Sequence, residues 1–133
     1  KLSLGYKASP RTTLLADMQA QSEQYARGNE NNQHQPGVVD IPGEGPVEFR
    51  DKGTIPGFAV FNLGLNHSLS KSLTLIVRVN NVFDREYFNG ALLGGNLFDR
   101  NGALVEEEED IAREAFLAPG TPRNAWVGLS LRF

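Results

Sequence analysis

The residues of this sequence that could do chemistry are few, and their spacing does not suit it. The densest group is the acidic run from Glu106 to Asp110. Glycosidase chemistry needs two carboxylates facing each other across a bond, and carboxylates adjacent in sequence are not so placed. Such like-charge runs are usually solvated. Asp99-Arg100-Asn101-Gly102 resembles the start of a calcium loop. It lacks the third oxygen-bearing residue ahead of the glycine, and Glu106 comes too early for the twelfth-position ligand. A turn is the better expectation there. His34 and His67 lie in unrelated segments with no second His or Cys at ligand spacing, and the chain has no cysteine at all. Gly94-Gly95 lacks the strand–helix context of a phosphate cradle. Asn80, Asn81 and Asp84 could be read as a polar ligand site, but such side chains bond nearby backbone and end strands well, and that reading is preferred. With no nucleophile elbow and no histidine dyad, the expectation is a protein that is not an enzyme, with no cofactor and no metal site.

Composition narrows the class further. The 133 residues suffice for one ordinary domain. The net charge of −3 argues against a nucleic-acid partner, which would select a basic face. No apolar run approaches the roughly 20 residues of a spanning helix. That leaves membrane β-strands open, since they need only about 9–11 residues and alternate between faces. Lys1 is not an initiator residue and no secretory signal precedes it, so the chain is expected to be a fragment or a processed product.

The elements that must position these residues are strands. Leu2, Leu4 and Tyr6 alternate with Ser3, Gly5 and Lys7, and Ser9-Pro10-Arg11 makes a tight turn. A second strand runs from about Thr12 into the twenties, with Leu14, Ala16, Met18 and Ala20 on its more apolar face. Phe58 to Leu69 forms a third, with Ala59, Phe61, Leu63 and Leu65 on one side. After a short turn around Lys71, Leu73, Leu75, Val77 and Val79 line a fourth, opposite Thr74, Ile76, Arg78 and Asn80. The last strand alternates from Ala125 through Val127, Leu129 and Leu131 to Phe133, with Trp126, Gly128, Ser130 and Arg132 between. Strands 73–83 and 123–133 are expected to be antiparallel neighbours. Residues 27–57 and 85–121 read as long loops, the first with a short hairpin near Val47 and Phe49. In the second, Ile111, Ala112, Ala115 and Phe116 fall at helical spacing, and Glu109 sits four residues before Arg113, so a helical turn or two is expected.

Connections thus alternate short, long, short, long. In an antiparallel meander this puts every short turn at one end and every long loop at the other, as in outer-membrane barrels with short periplasmic turns and long extracellular loops. A soluble sandwich has no physical reason for that asymmetry. An arginine facing the mid-bilayer costs about 2–4 kcal/mol, so Arg78 and Arg132 should face a lumen, and Trp126 shares that side by parity.

The run Val79-Asn80-Asn81-Val82-Phe83-Asp84-Arg85-Glu86-Tyr87 resembles the penultimate-strand motif of TonB-dependent outer-membrane receptors, with Asn80, Asn81, Phe83, Asp84 and Tyr87 as its marked positions. Pro119-Gly120-Thr121-Pro122-Arg123 before the last strand, and the terminal Val127 to Phe133, agree with that family in order and position. The resemblance covers mainly residues 55–133. It implies an all-β fold: an antiparallel meander of about five strands, the C-terminal segment of a 22-stranded transmembrane barrel, with residues 1–133 lacking the plug domain and the earlier strands. It implies a bacterial outer-membrane transporter for a scarce ligand such as a ferric siderophore, cobalamin or an oligosaccharide, energised through TonB. Partners would be membrane lipid, the protein's own plug and remaining barrel strands, TonB, and the barrel-assembly machinery. That machinery would read Ala125, Val127, Leu129, Leu131 and Phe133. The open edges of an isolated five-strand piece would favour self-association. Ligand contacts would come from loops 27–57 and 85–121, without individual residues or a cargo being readable. Two other classes stay open on residues alone: a soluble antiparallel β module binding through its long loops, and a passive porin.

Overall fold

A computed structural model describes residues 1–32, 34–107 and 110–133. The chain divides into two compact units, the first made of Lys1–Ser22, Gly57–Tyr87 and Gly120–Phe133, the second of Glu23–Pro56 and Phe88–Pro119.

The first unit is one antiparallel sheet of five strands: β1 (Leu2–Ser9), β2 (Thr12–Gln21), β7 (Phe58–Ser68), β8 (Leu73–Asn80) and β11 (Asn124–Leu131), in that spatial order. It is the expected meander. The strand expected to reach residue 83 stops at Asn80, because Asn81 turns into the left-handed region with φ 49°. Strands β8 and β11 pair antiparallel with Leu73 opposite Leu131, Leu75 opposite Leu129 and Val77 opposite Val127. The alternation continues across the sheet: Val77 faces Leu65, Leu65 faces Leu14, and Leu14 faces Tyr6. One face therefore carries an apolar column from every strand, since side chains at equal parity share a side.

That face is open. Leu2, Leu4, Tyr6, Leu14, Phe61, Leu63, Leu129 and Leu131 are exposed, and Val127 keeps 69% of its surface accessible. A water-facing sheet shows the opposite arrangement, with its apolar side covered. Contiguous exposed apolar surface of this extent marks a contact with lipid or with another chain. Its one polar interruption is paired: Thr12 Oγ1 and His67 Nδ1 share a hydrogen bond of 2.9 Å across neighbouring strands.

The second unit corrects the reading of the two long connections as loops. It holds β3 (Gln24–Tyr25) against β6 (Thr54–Ile55), and a four-strand sheet in the order β4 (Gly37–Ile41), β5 (Gly45–Phe49), β10 (Ala112–Pro119), β9 (Phe88–Asn96). The hairpin expected near Val47 and Phe49 is β4–β5. The helical turn expected at Ile111, Ala112, Ala115 and Phe116 is absent, and Ala112–Pro119 is a strand instead. Pairing decides this. Nearly all of β9 lies opposite β10, from Ala112 facing Asn96 to Pro119 facing Phe88. Glycines in β9 admit the bulky partners: a Cβ on Gly95 would lie 2.8 Å from Ile111 Cγ2, and one on Gly94 3.3 Å from Phe116. Local helical spacing is a weak preference beside a full cross-strand ladder. Glu109, expected to pair with Arg113, lies outside the described residues, while Arg113 forms an ion pair with Glu44.

Candidate functional site

On the polar face of the five-strand sheet, Arg78 is the organising charge. It stands opposite Gly64 on β7 and Trp126 on β11. Gly64 makes the room, since a Cβ there would sit 3.0 Å from Arg78 Cδ and Nη1. The guanidinium lies 5.9 Å from the Trp126 ring centre, within cation–π range. Its Nη1 donates to Asn66 Oδ1 (3.0 Å), Leu65 O (3.2 Å) and Val77 O (2.9 Å). Both Arg78 and Trp126 thus occupy the side opposite the apolar columns. Arg132 follows the end of β11, its backbone N–H held by Ser72 O at 2.8 Å, and keeps the same parity. Asp17, on the same face, accepts the Ser3 hydroxyl at 2.5 Å, a bond between directly opposed residues.

The residues of the penultimate-strand motif assemble into a closing turn. Asn81 is 3% exposed, and its amide serves three backbone groups. Nδ2 donates to Arg85 O (2.8 Å) and Thr121 O (3.1 Å), and Oδ1 accepts the Arg85 N–H (2.9 Å). Its own N–H donates to Asn62 Oδ1 at 2.9 Å. Asp84, also left-handed at φ 52°, donates its N–H to Asn81 O at 2.8 Å. It accepts the Arg123 N–H at 2.9 Å. Asn80 donates to Asn124 Oδ1 at 2.9 Å, closing the last rung between β8 and β11. Tyr87 packs on Phe58 with ring centres 4.6 Å apart, and its hydroxyl accepts the Thr121 N–H. The asparagines and aspartate therefore do the strand-ending task that their chemistry suggests, and the segment Pro119 to Arg123 is their other half. The sequence carries both motifs but not their mutual fit. Phe83 points away from this network, 73% exposed, with its edge on Phe61 at 5.5 Å.

The terminal residues Ala125, Val127, Leu129 and Leu131 lie on the apolar face of β11, an edge strand that among the described residues pairs with β8 alone; Phe133 is fully exposed.

Within the second unit, Asp99 organises the expected turn. Its Oδ1 accepts the N–H groups of Asn101 and Ala103, each at 2.8 Å, with Gly102 at φ 83°. These backbone donors hold its carboxyl below the ordinary range. No group of three or more His, Asp or Glu suited to a metal occurs among the described residues. His67 lies on the sheet of the first unit. His34 is buried edge-on against Phe49, 4.6 Å between ring centres. Its Nε2 lies 3.5 Å from Asp51 Oδ1 yet forms no hydrogen bond among the described residues. Asn29, which the sequence reading passed over, is a hub: it donates to Gly53 O (3.3 Å) and accepts the His34 N–H (3.1 Å). Asp51 accepts Gly53 N and Ala115 N, both at 2.7 Å.

Glu48 joins β5 to the Asp99 turn through Arg100, and Arg50 lies 3.5 Å from its other oxygen. The Arg100 hydrogen bond chiefly holds the Glu48 carboxyl below its ordinary range, against an opposing push from partial burial. A depressed carboxylate stabilises the fold above its unfolded value and loses that contribution as pH falls through its folded one. Acidification from neutral pH to about 3, below the ordinary Glu value, is expected to raise amide exchange in β5 beyond the intrinsic pH effect. Arg100→Gln should abolish that excess; an unchanged acid response in the variant would remove Glu48 as its source.

No family model matches this sequence, and no curated protein does. Among solved structures, the siderophore receptor PiuA from Acinetobacter baumannii matches over 96% of this chain with TM-score 0.56 and 13% identity. The ferric citrate transporter FecA, in its unliganded form, matches over 98% with TM-score 0.58 and 22% identity. The chain spans 12% of the first and 16% of the second. Its fold is that of a segment of such a receptor barrel, the fold implied by the resemblance to TonB-dependent receptors.

Proposed function

We propose that residues 1–133 are the C-terminal strands of a TonB-dependent receptor barrel that imports a scarce ligand across the bacterial outer membrane. The observation that carries this reading is the single-layer sheet with an apolar column from every strand on one side, open along β1 and β11 and half-buried along β8, and Arg78, Trp126 and Asn80 on the other. In water such a sheet would have to cover its apolar face, whereas in a bilayer that face meets hydrocarbon and the polar one lines a lumen. Both short turns, Pro10 and Lys71, lie at one end of the sheet, which fits the periplasmic side. The strand-bearing segments 23–56 and 88–119 leave from the other end, which fits the outer surface. The two similar structures bind iron-carrying ligands by name, which favours a ferric siderophore or another ferric complex over cobalamin or an oligosaccharide.

The same reading supplies the partners. Edge strands β1 and β11 would be met by the remaining barrel strands, or by other copies in an isolated piece. The polar face would meet the plug, and TonB would act through the intact polypeptide. The assembly machinery would recognise Ala125 to Phe133 by strand addition.

These 133 residues hold no cysteine, so a single cysteine placed among them has no competing thiol within the segment. Labels at Val77, Leu129 and Val127 in the membrane-inserted protein are expected to be quenched by lipid-borne quenchers. Labels at Thr74, Ser130 and Gly128 should respond to aqueous ones. Loss of that alternation would exclude the spanning sheet. Ligand uptake that persists after the inner-membrane proton gradient is collapsed would instead assign the barrel to passive diffusion.

A further inference from the structure

The apolar face does not end evenly. Where β7 begins and β8 ends, a groove of about 480 Å³ opens between Phe58, Ala59, Phe61, Phe83 and Arg85. Phe61 belongs to the exposed apolar column of β7, and Phe83 stands edge-on to it, so these two rings open the groove to the lipid-facing side, while buried Phe58 and Val60, of the opposite parity, back it. Arg85 is exposed, and no carboxylate lies within 4 Å of its guanidinium among the described residues. Nearby Arg123 is engaged by Asp84, 3.6 Å away. The turn displaying the pair is rigid. Asn81 grips both the N–H and the C=O of Arg85, and Val82 N–H donates to Phe61 O at 2.9 Å.

We propose that this groove seats a phosphorylated acyl lipid of the leaflet next to the long connections, its chain on Phe61 and Phe83 and its phosphate on Arg85. The proposal rests on the membrane-spanning reading above. Aromatic rings and a cation at the end of an apolar belt match the apolar-to-anionic step of a leaflet surface. A guanidinium fork can hold two phosphate oxygens at once. A turn fixed before binding avoids most of the ordering cost that a flexible anchor would bear. This gives the exposed Phe83 a role that the closing network, which it does not join, cannot supply.

The test is lipid competition on the intact polypeptide in phosphatidylcholine vesicles, with spin-labelled phosphatidic acid or spin-labelled phosphatidylcholine as the probe. Protein-bound phosphatidic acid is expected in excess, and Arg85→Gln should reduce that excess about fivefold, the value of one interfacial cation. Phe83→Ala should weaken retention of both probes. An excess unchanged in Arg85→Gln overturns the assignment, as does an equal loss in Lys71→Gln, which would mark diffuse charge at the opposite end. Displacement of bound phosphatidic acid by soluble glycerol phosphate would give the site to a free anion and also overturn it. Absence of any immobilised probe, phosphatidylcholine included, would instead refute the membrane-spanning reading itself.

Discussion

Gly120→Ala is expected to loosen the end of the β8–β11 hairpin more than any other single methyl added to the first unit. An alanine Cβ there would lie 2.2 Å from Cε2 and Cζ of the Tyr87 ring. The ring cannot yield cheaply. It is packed on Phe58, its hydroxyl holds the Thr121 N–H at 3.2 Å, and its backbone carbonyl accepts the Gly120 N–H at 2.7 Å. Gly120 is not among the positive-φ residues, so the demand is for space and not for backbone freedom. Overpacking of this kind costs about 1–3 kcal/mol, and each displaced hydrogen bond adds about 1 kcal/mol. Urea unfolding of the membrane-inserted protein should show a lower midpoint. In Gly120→Ala/Tyr87→Ala the two losses should sum to more than the double variant shows, because the second change removes the clash. Strict additivity would mean that the contact does not hold the hairpin.

The five-strand sheet was legible because a side-chain period of two survives in the sequence wherever one face meets apolar surroundings. Leu73 to Val79 and Ala125 to Leu131 keep it, with Ile76 and Trp126 as apolar exceptions, and it puts Val77 and Val127 on one face, while the register that pairs them comes from the ladder. The placement of Arg78 and Trp126 follows from the same parity. The closing turn was only half legible. Asn80, Asn81 and Asp84 announce a strand end, but the carbonyl of Thr121, 40 positions beyond Asn81, is a partner that no local pattern encodes. Gly120 likewise looks like a loop glycine until Tyr87 is seen against it.

The second unit resisted reading for a different reason. Strands β3 to β6 are short, and β10 mixes polar and apolar residues on both faces: Ala112, Glu114 and Phe116 on one, Arg113, Ala115 and Leu117 on the other. With no clean period, the helical spacing of Ile111, Ala112, Ala115 and Phe116 was an equally good local fit. Non-local bonds decide it: the Asp51 carboxylate on Ala115 N, the Arg27–Leu92 bridge, and the ladder with β9. Ala112 is wholly buried, which neither pattern anticipates. Segments that read as loop can thus hold a sheet when their partners lie more than 50 residues apart, as Asp51 and Ala115 do.

Asn81→Ala is expected to be the most damaging polar substitution in the closing turn, and comparison with Asn81→Gly divides its causes. Two contributions add. The side chain satisfies the N–H and C=O of Arg85 and the C=O of Thr121 from a buried position, and leaving such groups unpaired costs about 1–3 kcal/mol. The backbone stands at φ 49°, which asparagine tolerates and alanine resists by about 1–2 kcal/mol. Glycine removes the hydrogen bonds but adopts that conformation freely. Asn81→Gly should therefore recover about 1 kcal/mol of the loss seen in Asn81→Ala, with the rest belonging to the amide. Thermal unfolding of the inserted protein measures both. Equal losses would assign the whole effect to the hydrogen bonds. A glycine variant as stable as the parent would mean that the amide contacts contribute nothing, and that residues 80–87 are closed by Asp84 and Tyr87 alone.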